Sequence, residues 1–132
     1  MKNLITAKSL AGFLVVLIAC LTIEMARAQP PSAEDLQKAA QSAYANCEAT
    51  KKIVENALKG LDPKLGSGAS DGLKREVADA KVWFKKADDL LAQSKKKMDE
   101  KKIDKDLVEN LNQAWRWYVE AGSAAVRASM MD

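Results

Sequence analysis

Cysteine, the carboxylate pairs, a run of lysines and the six aromatic rings that follow Ala28 are the residues of this 132-residue chain whose types could do chemistry. Histidine is absent. That removes imidazole metal ligands, an axial haem histidine and the usual general base, so histidine-dependent triads are excluded. Carboxylates occur in pairs at Glu34-Asp35, Asp88-Asp89, Asp99-Glu100 and Asp104/Asp106. Buried together, such pairs would suit acid–base work or calcium. Here they fall off the apolar stripes and alternate with lysines, as in Lys85-Lys86-Ala87-Asp88-Asp89, which predicts a solvated, ion-paired surface. Gly66-Ser67-Gly68 lacks the lysine and preceding strand of a phosphate loop and reads as a turn. No catalytic, cofactor-binding or metal site is predicted, and the chain is not expected to be an enzyme.

The first 28 residues have the layout of an export signal. Lys2 and Lys8 flank a basic start, Leu10 to Ile23 is almost wholly apolar, and Ala26-Arg27-Ala28 supplies an A-x-A exit before Gln29 and Pro30-Pro31. Within it, Leu17-Ile18-Ala19-Cys20 resembles the lipobox of bacterial lipoproteins. That resemblance implies cleavage before Cys20 and lipidation of its thiol. A third fate is an uncleaved anchor, since Ile5 to Met25 approaches the roughly 20 residues that span a bilayer. All three place the remainder outside the cytoplasm: in the periplasm, secreted, or held at a membrane.

Discounting Lys2, Lys8, Arg27 and Glu24 leaves 18 of the 21 basic and 17 of the 18 acidic residues, a net charge of about +1. Such a balance gives no general attraction to nucleic acid. Past Ala28 the single cysteine is Cys47, so no internal disulfide can form there, and stability must come from packing. Cys47 lies on an apolar stripe, which predicts burial; the alternative is an intermolecular disulfide or a reactive thiol, for which Lys51, one turn on, is the group that could lower the pKa.

The elements that must position these residues are helices. Gly60-Leu61-Asp62-Pro63 to Gly66-Ser67-Gly68 and the lysine-rich stretch Lys101 to Asp104 cut residues 29–132 into three segments, predicted as helices over about 33–60, 71–100 and 105–130. Each carries an apolar seam with alternating three- and four-residue steps: Leu36, Ala40, Ala43, Cys47, Thr50, Val54, Ala57, Leu61; then Leu73, Val77, Ala80, Phe84, Ala87, Leu91, Ser94, Met98; then Leu107, Leu111, Ala114, Tyr118, Ala121, Ala125, Ala128. Ile53, Leu58, Leu90 and Trp115 would widen the seams. Ser32 with Asp35 reads as a capping box, Ser70 or Asp71 as the second cap and Asp104 as the third. The fold class expected is all-α: an antiparallel up-down-up, coiled-coil-like three-helix bundle of nearly equal rods. One long helix spanning the second and third segments is the rival, opposed by a slip of seam phase between Met98 and Leu107.

Antiparallel pairing sets Cys47 against Phe84 and Phe84 against Tyr118, and gathers Tyr44, Trp83, Phe84, Trp115, Trp117 and Tyr118 into a central layer. Core packing accounts for such a belt; a ligand pocket walled by Tyr44, Trp83 and Trp115 is the alternative. Trp115 and Trp117 flank the third seam on opposite sides, which marks Trp117 as a partner contact. Lys95, Lys96, Lys97, Lys101, Lys102 and Lys105 form a basic patch at the turn nearest Pro30-Pro31, where it either solvates the bundle or meets a membrane surface or acidic partner. The function expected is that of an exported, non-enzymatic interaction or structural protein, an accessory subunit whose partner is another envelope protein or a second copy. A small-molecule carrier is the alternative.

Overall fold

The computed structural model describes residues 31–131, so the signal-like segment, its exit at Ala28 and Cys20 lie outside the described residues. The described chain is all-helical: α1 (Ala33–Leu61), a single 3-10 turn (Asp62–Leu65), α2 (Asp71–Asp99) and α3 (Lys105–Ser129), with the three α-helices packed on one another.

Each helix begins where a short polar side chain can take up a free backbone N–H. Ser32 and Asp35 form a reciprocal capping box, the Asp35 N–H donating to Ser32 Oγ at 3.1 Å and the Ser32 N–H to Asp35 Oδ2 at 3.3 Å. Ser70, rather than Asp71, caps α2 by accepting from the Leu73 N–H at 3.1 Å, and Asp104 caps α3 by accepting from the Leu107 N–H at 2.8 Å.

The break between α2 and α3 is made without glycine or proline. Glu100 closes α2, Lys101 takes a left-handed φ of 59°, and two bonds follow: the Lys101 N–H donates to Met98 O at 3.0 Å and the Lys102 N–H to Lys97 O at 2.9 Å. This is the Schellman arrangement, with lysine where glycine is usual. One continuous helix through this region is therefore ruled out.

The packing is less even than three equal rods. α3 packs extensively on both other helices, whereas α1 and α2 meet only sparingly. The buried set of α3 explains this. Every seam residue from Leu107 to Ala128 is buried, and Val108, Trp115 and Ala124 add flanks on both sides, so α3 presents apolar surface in two directions. The α1 stripe departs from expectation at two points: Ala57 is exposed, its place near the core taken by the half-buried Leu58, and Ile53 is 37% exposed rather than part of the core.

Specific contacts give the register. On the α2–α3 side, Phe84 meets Tyr118, Glu76 meets Arg127, and Gly72 lies near Met131, so the number on α3 rises as that on α2 falls. On the α1–α3 side, Cys47 meets Leu111, Val54 lies against Gly122, and Lys64 just beyond α1 meets Ser129, both numbers rising together. At the far end, Leu61, Leu73, Val77, Ala125 and Ala128 form a small core closed by Leu58, Leu65, Ala69 and Met131. Lys64 caps this end by donating to the carbonyls of Ser129 at 2.9 Å and Met131 at 3.4 Å.

Candidate functional site

Three helices contribute one polar group each to a joint at mid-bundle. Asp88 on α2 accepts from the Tyr118 hydroxyl of α3, and the same oxygen faces Lys51 Nζ of α1 at 3.0 Å. Tyr118 is fully buried, while the Lys51 and Asp88 side chains are each about one-third exposed. Burial first, then the bond to Asp88, hold the Tyr118 hydroxyl far above its ordinary ionisation range. Asp88 was expected on a solvated surface with Asp89; only the fold reveals that it ties α1, α2 and α3 together. Lys51, expected as the group that could activate Cys47, is turned to Asp88 instead.

Cys47 is fully buried and its thiol donates to the Leu111 carbonyl at 3.2 Å. Burial pushes its pKa up to about 12. The idea that Lys51 lowers it is thus corrected: removal from water dominates, and a thiol held neutral is a poor nucleophile. Cys47 faces α3 across this contact.

Of the expected aromatic layer, Phe84 and Tyr118 form an edge-to-face pair with centroids 5.5 Å apart, and Trp115 is buried at 5% exposure. The other three lie half-buried at the margins. Tyr44 hydrogen-bonds Glu48, and burial followed by that bond raises its pKa to about 12. Trp83 carries the Lys86 ammonium 5.1 Å from its ring centroid.

Trp83 and Trp117 are half-buried and stand next in sequence to Phe84 of α2 and Tyr118 of α3, which meet each other. The Glu76–Arg127 pair, at 3.2 Å, marks the outer margin between α2 and α3. Trp83 stands seven residues, two helical turns, beyond Glu76 on the same face of α2, whereas Trp117 stands ten residues before Arg127, about 80° round α3 from it, and directly precedes the Tyr118 that meets Phe84. Leu90, also half-buried, continues the α2 side. The two flanks of the α3 seam are therefore unequal: Trp115 is buried, seven residues before the Gly122 that lies against Val54 of α1, and Trp117 is half-buried.

The six lysines of the basic patch are all exposed around the α2–α3 turn, with Lys102 paired to Glu100 at 3.3 Å. Lys96 and Lys97 also complement the carbonyl end of α2. The α1–α3 register places the start of α1 at this same end.

Among the described residues no group of three potential metal ligands occurs, and no helix is long and apolar enough to cross a membrane. Compared with known proteins, the chain matches no family model, no curated protein and no solved structure. Function must be argued from its own residues.

Proposed function

We propose that this chain is an exported, non-enzymatic protein of the cell envelope that works by holding another polypeptide, as an interaction, structural or accessory subunit. Its frame is an antiparallel up-down-up bundle with coiled-coil-like meshing, a reading supported by the opposite register of α2 against α3 and the common register of α1 with α3. The signal-like start supports a periplasmic or secreted site, with membrane attachment through Cys20 or an uncleaved apolar helix as the other route. The near-neutral charge past Ala28 argues against nucleic acid.

The observation that carries the interaction half of this reading is the pair of half-buried tryptophans, Trp83 and Trp117, next in sequence to the Phe84–Tyr118 contact of α2 and α3. Indole is enriched at protein interfaces because one ring brings a large apolar area and a polar handle together. The occupant is an envelope polypeptide or a second copy of this chain, while the lysine turn contacts an anionic membrane surface. The test is affinity capture from an envelope extract, comparing the native chain with a Trp83→Ala/Trp117→Ala variant. A polypeptide retained by the first and lost by the second supports the reading; identical captures from both contradict it.

A second reading, a small-molecule carrier, draws on one observation: the Trp115 Nε1 and Thr50 Oγ1 atoms are buried without a protein hydrogen-bond partner.

A further inference from the structure

We propose that the α1–α3 interface contains a binding site for one internal water molecule, held between Thr50 and Trp115. The proposal rests on two buried polar groups and on the register that brings them to one stretch of interface. Thr50 is 6% exposed and Trp115 5%, and neither Thr50 Oγ1 nor Trp115 Nε1 has a protein partner. Buried polar atoms of this kind are nearly always satisfied, because a group stripped of water without replacement destabilises the fold.

Both groups lie between the same two contacts. Thr50 falls on the α1 stripe between Cys47, which touches the Leu111 carbonyl, and Val54, which lies against Gly122. Trp115 falls on the facing α3 stripe between Leu111 and Gly122. The Leu111 carbonyl, a nearby acceptor, is already engaged by the Cys47 thiol at 3.2 Å.

Complementary chemistry and restricted space identify the guest. An indole N–H only donates, whereas a hydroxyl both donates and accepts, so one water oxygen accepting from Trp115 and bonding Thr50 satisfies both. The helices are close at each end of the stretch: the thiol contact bounds one end, and a Cβ built on Gly122 would sit 3.3 Å from Val54 Cγ2 at the other. Cys47 and Val54 are two helical turns apart, about 10 Å along α1, so the guest is of solvent size rather than a cofactor. A domain of about 100 residues ordinarily holds a few such waters, at roughly one per 27 residues.

The experiment is water–protein NMR cross-relaxation on the 15N-labelled chain, read at the Trp115 indole proton and assigned with Trp83→Phe and Trp117→Phe. A cross-peak of a long-lived water is expected at Trp115, lost in Thr50→Val and kept in Thr50→Ser. Absence of that peak from the native chain, or its persistence unchanged in Thr50→Val, overturns the proposal. So does native mass spectrometry showing an organic molecule that Thr50→Val releases, which would assign the site to a carrier's cargo.

Discussion

The Tyr118 hydroxyl donates to Asp88, and this one bond joins the most buried ring of α3 to a carboxylate that also holds Lys51 of α1. Because α1 and α2 meet sparingly, the joint supplies a link between them that apolar packing provides only weakly. Tyr118→Phe keeps the ring against Phe84 and removes only the bond. It is expected to lower the unfolding free energy by about 1–2 kcal/mol in urea titration, the range for a bond to a charged acceptor that keeps some water. Lys51→Met, which removes a part-exposed ion pair, should cost less than about 1 kcal/mol.

Lys101 occupies a left-handed conformation that L side chains adopt at a cost. Lys101→Gly should therefore raise stability by about 1 kcal/mol, as measured by denaturant midpoint with an unchanged slope. Lys102→Gly, one residue on and outside the left-handed position, should give no such gain.

Gly122 marks a close approach of α3 to α1, where an added Cβ would lie 3.3 Å from Val54 Cγ2. For Gly122→Ala, the helix-propensity gain of about 1 kcal/mol offsets the crowding, leaving stability nearly unchanged. Gly122→Leu cannot be accommodated by so small a shift and should destabilise by about 1–3 kcal/mol in thermal or urea unfolding.

Alkaline pH should unfold the bundle through its buried acids. Cys47 ionises near 9.0 when exposed and only at about 12 in the fold, while Tyr118 and Tyr44 are both held above their ordinary value of 10.0. Between these values the unfolded chain has lost protons that the native chain keeps, so stability falls as pH rises. It should be intact below pH 9, fall by about 1.4 kcal/mol per pH unit as the Cys47 thiol becomes the better acid in the unfolded chain, and fall faster above pH 10 when the tyrosines join. Urea titrations across pH 8–11 check the slope. At neutral pH a thiol reagent should modify Cys47 only after denaturation.

Helical class was legible in the sequence because three- and four-residue apolar steps persist through all three segments, and the capping residues Ser32, Ser70 and Asp104 stand where backbone donors need them. The unequal packing was not. A two-position seam describes how one helix faces one partner, whereas Val108, Trp115 and Ala124 give α3 a second apolar direction. Asp88 looked like half of a solvated pair because its partners, Lys51 and Tyr118, are remote in sequence. The turn at Lys101 sets the α2–α3 register that brings Phe84 to Tyr118. That turn has no propensity signal, since lysine is an ordinary helix former and its left-handed geometry here is fixed by the backbone bonds closing α2.

Native mass spectrometry of the protein taken from its own host tests the functional account most directly, because it reads the processed start and the retained occupant together. The account predicts a chain beginning at Gln29 that carries a bound polypeptide, either a different protein or a second copy. A chain that carries a small organic molecule and no polypeptide, or one that binds nothing at all, would contradict it.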